Sequence, residues 1–96
     1  MLVVVSYDVS TKTKSGQKRL KKVAETCLNF GIRAQYSVFE CIVDPGQWEI
    51  LKHELLSIYN PEEDNLRFYF LGSNWQNRVE NYGVSKNLKA DDPFII

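Results

Sequence analysis

The run Leu2-Val3-Val4-Val5-Ser6-Tyr7-Asp8-Val9 constrains this chain more than any other segment. Consecutive β-branched side chains suit a pleated, packed surface, so the run reads as a buried, central strand. That strand delivers a carboxylate at its end. Asp8 is held by rigid structure where a core strand leaves the sheet, yet it lies close to solvent. The acid-free stretch that follows contains Lys12, Lys14 and a Ser15-Gly16 pair. A fixed acid beside a mobile basic loop suits a metal ion and a phosphate.

After the first strand, Ser15 is a candidate N-cap for a helix running to Phe30. Leu20, Val23, Ala24, Cys27 and Leu28 recur at helical spacing and make one apolar stripe. Gly31 closes the helix as a left-handed residue. The segment from Ile32 to Val43 is strand-like throughout, and its pattern does not separate one bent strand from two. Asp44-Pro45-Gly46-Gln47 then announces a second helix, with Asp as N-cap, Pro at the first position and Gln completing a capping box. Trp48, Leu51, Leu55 and Ile58 face the core, and Asn60-Pro61 ends the helix. Glu62-Glu63-Asp64 makes an acidic turn before a strand over Leu66-Arg67-Phe68-Tyr69-Phe70-Leu71. Residues 78–82 suggest a short fifth strand. The order β-α-β-β-α-β is the split βαβ of ferredoxin-like α+β domains, with the first and third strands central. The extra strand and the apolar end Pro93-Phe94-Ile95-Ile96 exceed what one small sheet needs, which suggests pairing with another chain.

Ninety-six residues make one domain, 1–96, with 78–96 as a C-terminal strand and tail. A domain of this size buries only roughly 60–68% of its unfolded surface, so oligomerisation would add stability. No segment approaches the ~18 apolar residues of a membrane span. The Leu2–Val5 run is too short for a signal-peptide core and lacks a basic flank, so the expected location is cytoplasmic. Cys27 and Cys41 fit that location as core thiols without metal-ligand spacing. The net charge of zero hides a division. Residues 1–39 hold seven Lys/Arg against Asp8 and Glu25, whereas residues 40–96 hold five against ten acids. Lys12, Lys14, Lys18, Arg19, Lys21 and Lys22 occur without an intervening acid. The bland reading is a solvated helix face, and the functional one is a phosphate-binding patch. Cations at a helix N-terminus oppose its dipole, and a bound phosphate would reverse that effect.

Three segments together carry a resemblance: Tyr7-Asp8 ending the first strand, Arg33-Ala34-Gln35-Tyr36-Ser37-Val38-Phe39-Glu40, and Leu66-Arg67-Phe68-Tyr69. They resemble the CRISPR-associated protein two family over residues 1 to about 82. The resemblance implies a symmetric homodimer of ferredoxin-like protomers whose last strand adds to the partner's sheet. It implies that the two copies of Asp8 face each other across the dimer axis and bind one Mg²⁺. It further implies a nuclease acting on single-stranded RNA or double-stranded DNA, and a part in new-spacer acquisition with the CRISPR integrase subunits. Asp8 then matches the metal ligand, and Tyr7, Arg33 and Phe39 match positions implicated in activity. Arg19 falls in a region where relatives place basic residues, and a break is expected near Tyr36-Ser37. Some relatives carry arginines in the loop before the first helix. Lys12 and Lys14 stand there instead, supplying charge without a bidentate fork.

One aspartate per chain is a poor magnesium site, because Mg²⁺ takes octahedral oxygen ligands, one or two of them carboxylates. Two carboxylates ~5 Å apart repel by about 3 kcal/mol at an effective dielectric of ~20, which a shared divalent cation removes. The metal reading therefore requires the dimer. Ser6 and Ser37 could hydrogen-bond water or phosphate, Glu40 is a conceivable second acid, and Trp75 could stack a base. His53 lies about 140° around the second helix from Trp48 and is expected at the surface, away from the site. The rivals are a non-catalytic DNA-binding scaffold and, with no Gly-rich phosphate loop to support it, a module for protein or small-ligand binding.

Overall fold

The computed structural model describes residues 1–71 and 79–84. Seven elements follow in order: β1 Leu2–Asp8, α1 Lys14–Leu28, β2 Gly31–Gln35, β3 Val38–Ile42, α2 Pro45–Ile58, β4 Asn65–Phe70 and β5 Val79–Gly83. They build one antiparallel five-stranded sheet, ordered β2-β3-β1-β4-β5. This is the expected ferredoxin-like α+β arrangement, with β1 and β3 inside the sheet. The long apolar segment breaks at Tyr36-Ser37, just after a bulge that shifts the register between Arg33 and Gln35.

Strand alternation decides the layers. Val3, Val5, Tyr7, Phe39, Cys41, Leu66 and Phe68 point to one face and are buried beneath the two helices. Helix α1 contributes Leu20, Val23, Ala24 and Cys27, and α2 contributes Trp48, Leu51 and Leu55. Ile58 is only partly buried at the edge of that core. Trp48 meets Phe68 edge-on at 4.8 Å and Phe70 at 5.1 Å, geometry worth about 0.5–1.5 kcal/mol per pair beyond burial. Among the described residues the opposite face of the sheet carries no helix.

The second helix starts as its sequence announced. Asp44 accepts from Gln47 N while the Gln47 side chain accepts from Asp44 N, closing the capping box. The first helix begins earlier than expected. Thr13, two residues before Ser15, is the N-cap, accepting from Gly16 N at 3.0 Å. The end of α1 also differs, since Asn29 caps it in a right-handed conformation. Gly31 opens β2 instead. A Cβ there would lie 1.9 Å from the Glu40 carbonyl oxygen, so the residue is small because two strands touch, and not for a left-handed turn.

The fifth strand forms beside β4. Residues Val79–Gly83 pair with β4 of their own chain, in register from Asn65↔Gly83 to Tyr69↔Val79. The apolar end around Phe94 and the loop holding Trp75 lie outside the described residues.

Candidate functional site

Because Tyr7 points into the core, its neighbour Asp8 projects from the open face, exposed at the end of the central strand. That face is organised in rows across the sheet. Asp8 stands beside Asn65 and Gly83. The next row holds Val38, Ser6, Arg67 and Asn81. Beyond it come Ile32, Glu40, Val4 and Tyr69, and then Ile42 and Leu2. The face thus changes from polar near Asp8 to apolar at the far end, where Ile32 and Ile42 are 62% and 76% exposed.

The polar end is ordered by side-chain hydrogen bonds. Asn65 Nδ2 donates to Asn81 Oδ1 at 2.7 Å and to the Val84 carbonyl at 2.7 Å. Arg67 Nε donates to the same Asn81 oxygen at 3.1 Å, and its Nη1 to the Tyr69 hydroxyl at 3.3 Å.

Directly behind Asp8, on the helix side, lies a buried polar cluster. Asp64 is fully buried in the turn before β4. Its carboxylate accepts from the Tyr7 hydroxyl, from Arg19 Nε at 2.8 Å and Nη2 at 3.1 Å, and from the Asn60 amide at 3.0 Å. Its carbonyl accepts from Val84 N at 2.8 Å. Burial would raise the Asp64 carboxyl, but the Arg19 guanidinium, the Tyr7 hydroxyl and the Asn60 amide outweigh it and hold the carboxyl low. Burial, then Asp64, pushes the Tyr7 phenol up. The bond to Asp64 raises Arg19 further. One carboxylate thereby fastens β1, α1 and the turn at Asn60 to the start of β4, close to the exposed acid.

This cluster corrects two expectations. Arg19 is not a free phosphate contact: its guanidinium is 16% exposed and committed to Asp64 and, at 2.9 Å, to Glu63. Tyr7 is 1% exposed, so it lies behind the open face and not at its surface. Phe39 is likewise core. Arg33 lies two strands from β1 on the helix side, donating to the Tyr36 carbonyl at 2.9 Å and stacked 5.3 Å from the rings of Tyr36 and Phe39. Within one chain, Tyr7, Arg33 and Phe39 therefore do not gather around Asp8.

The lysines do remain outside. Lys12, Lys14, Lys18 and Lys22 are exposed, the last three along one line of α1. The loop carrying Lys12 is tied to α1, because Gln17 Nε2 donates to the Thr11 carbonyl at 2.9 Å and the Ser10 carbonyl packs against Gly16. Ser6 shares the open face with Asp8, while the Ser37 carbonyl accepts from Tyr7 N at 2.9 Å. Glu40 lies on the neighbouring strand two rows from Asp8, about 13 Å along the sheet. His53 is exposed. Cys27 and Cys41 are buried free thiols, with Cys41 Sγ donating to the Cys27 carbonyl at 3.8 Å. No described helix is long and apolar enough to cross a membrane.

Among the described residues no three His, Cys, Asp or Glu side chains form a metal-binding group. Asp8 offers a hard oxygen donor at an exposed position, the chemistry Mg²⁺ selects.

Two residues of this region, Asp64 and Arg67, are absent from the candidates named above. Asp64 reads as part of a solvated acidic turn, and only its place beneath Arg19 reveals otherwise. Arg67 was legible, since it alternates with Leu66 and Phe68 and so must share a face with Asp8.

Residues 1–79 match the family model described as CRISPR associated protein Cas2. A CRISPR-associated endoribonuclease Cas2 of Chlorobaculum tepidum is 57% identical over 96 residues, covering 100% of both chains. A CRISPR-associated endonuclease Cas2 of Halalkalibacterium halodurans is 50% identical over 95 residues, covering 99% of each. The crystal structure of Streptococcus pyogenes Cas2 superposes with a TM-score of 0.73 at 51% identity, covering 86% of this chain and 100% of that one.

Proposed function

We propose a reading of this site that starts from one fact: the chain belongs to the CRISPR associated protein Cas2 family. It is a Mg²⁺-dependent phosphodiesterase of CRISPR adaptation, cutting single-stranded RNA or double-stranded DNA and taking part in new-spacer acquisition beside the integrase. The observation that carries this reading is Asp8, exposed at the end of a strand whose preceding residue is locked into the core.

The apolar rows of the open face support a homodimer. Ile32, Ile42 and Leu71 are exposed there, and a second copy would cover them. Joined through these faces, two protomers would bring their Asp8 carboxylates together across a twofold axis. A Mg²⁺ bound between the carboxylates would polarise a phosphate and lower the pKa of a water for in-line attack. The chain's own part is to fix both carboxylates, supply hydroxyls such as Ser6, and hold the backbone through Lys12, Lys14, Lys18 and Lys22. These lysines give charge and little geometric selectivity, which suits a substrate gripped by its backbone.

A second reading, a DNA-binding scaffold without catalysis, draws on the single carboxylate per chain. Asp8→Asn separates the two. Under the nuclease reading it abolishes Mg²⁺-dependent cleavage of labelled RNA and DNA while binding in EDTA persists. Full cleavage by this variant removes Asp8 from the chemistry, and wild-type spacer integration by it supports the scaffold.

A further inference from the structure

We propose that Arg67 is the side chain that grips the phosphodiester at this site, a role that deepens the nuclease reading and rests on it. Arg67 stands on β4 opposite Ser6, and Asp8 is the next residue along the same face of β1. Diagonal neighbours on an antiparallel pair are about 7–8 Å apart, within the span of an arginine. The guanidinium and the carboxylate therefore border one patch of surface.

Its surroundings are unlike those of the ion-paired cations. Arg19 meets Asp64 and Glu63, and Lys52 meets Glu80 at 2.9 Å. Arg67 makes no ion pair among the described residues. It is oriented by neutral groups instead: Asn81 Oδ1 receives Nε, the Tyr69 hydroxyl receives Nη1, and the guanidinium lies 5.9 Å from the Tyr69 ring. Asn81 is itself held by Asn65, which is anchored to the Val84 carbonyl. Two strands thus devote a chain of amides to aiming a cation that makes no direct ion pair among the described residues.

Nη2 has no partner among the described residues, so the terminal edge of the fork retains donors. A planar guanidinium with donors at its outer edge matches the non-bridging oxygens of a phosphate, which a lysine engages only as a point charge. An anion resting there lies next to Asp8, and so next to any cation that Asp8 binds. The exposed lysines of α1 lie on the other side of the sheet's end and grip more distant phosphates. Arg67 selects the phosphate that reaches the carboxylate.

The test compares wild type, Arg67→Gln, Arg67→Lys and Asp8→Asn. Binding of a labelled single-stranded RNA and a DNA duplex is titrated in EDTA over a range of salt, and cleavage is followed in Mg²⁺. Arg67→Gln keeps a donor for Asn81 and removes the charge, so the fold should survive, with thermal melting and sedimentation as checks. We expect affinity in EDTA to fall about ten- to hundredfold and the salt slope to shrink by about one per chain. Arg67→Lys should recover most of the binding but not the cleavage rate, because the fork is missing. Unchanged affinity and slope in Arg67→Gln overturn the proposal, as does a monomeric Arg67→Gln, which assigns the residue to an interface. Failure of the metal reading is seen separately, as cleavage by Asp8→Asn, and the EDTA binding series still decides Arg67.

Discussion

Asp64 shows how one buried carboxylate decides what an exposed one can do. It receives Tyr7, Arg19 and the Asn60 amide, so the residue before Asp8 cannot rotate without leaving a buried charge short of donors. Breaking a buried pair by removing one partner costs about 3–5 kcal/mol, and Asp64→Asn should lower stability by that amount in urea unfolding. Tyr7→Phe removes one bond to a charged group and should cost about 1.5–3 kcal/mol. The pH dependence follows from the same shifts. The Asp64 carboxyl is held low, so its contribution is complete above the ordinary carboxylate value near ~4 and is lost as pH falls through the lowered one. The Tyr7 phenol is held high, so its contribution is complete below ~10 and fades as pH rises beyond that. Stability measured across pH should therefore decline at both ends, and Tyr7→Phe should flatten the alkaline side and soften the acid one, because the Tyr7 hydroxyl also helps hold the Asp64 carboxyl low. An alkaline decline of equal size in Tyr7→Phe would assign it to another group.

At the scale of elements, the loop between β1 and α1 depends on a missing side chain. A Cβ on Gly16 would sit 1.9 Å from the Ser10 carbonyl oxygen, in backbone that cannot yield without moving the loop. Helix propensity alone favours Gly16→Ala by about 1 kcal/mol. Overpacking costs about 1–3 kcal/mol and should win. The variant should melt lower than wild type and be cut faster by trypsin at Lys12, whereas a higher melting temperature would mean the loop does not pack on the helix. This contact also marks where sequence reading stopped. The strand order, both helices and the capping box are written in local patterns, because alternation, helical spacing and Asp-Pro-x-Gln act within a few residues. Long-range facts are not so written. Thr13 displaces Ser15 as N-cap because the Ser10 carbonyl lies against Gly16, Gly31 is small because Glu40 lies across from it, and Arg19 turns inward because Asp64 awaits it. The site divides in the same way. Asp8 and the exposed lysines follow from alternation and charge, while the burial of Tyr7 and Phe39 follows from which face the helices cover.

At the scale of the molecule, charge and apolar surface make separate demands. The exposed lysines of α1 predict binding dominated by phosphates. With 6–10 contacts across a dimer, affinity should fall ~10³–10⁵-fold between 50 and 200 mM salt, and a flat response would remove the patch from binding. The open face predicts assembly, and Ile42 is the place to test it. Its side chain is 76% exposed in a single chain, at the apolar end far from Asp8. A lysine there should cost the isolated fold within about 0.5 kcal/mol, as a surface substitution away from caps and buried groups. In a face-to-face dimer the same lysine would be buried against its own twofold-related copy, and both desolvation and like-charge repulsion oppose that. Ile42→Lys should therefore sediment as a monomer with an unchanged circular dichroism spectrum. It should bind Mg²⁺ weakly, since each chain offers one carboxylate, and it should not cleave. A dimeric Ile42→Lys that cleaves at the wild-type rate would place the interface elsewhere, and with it the meeting of the two Asp8 side chains.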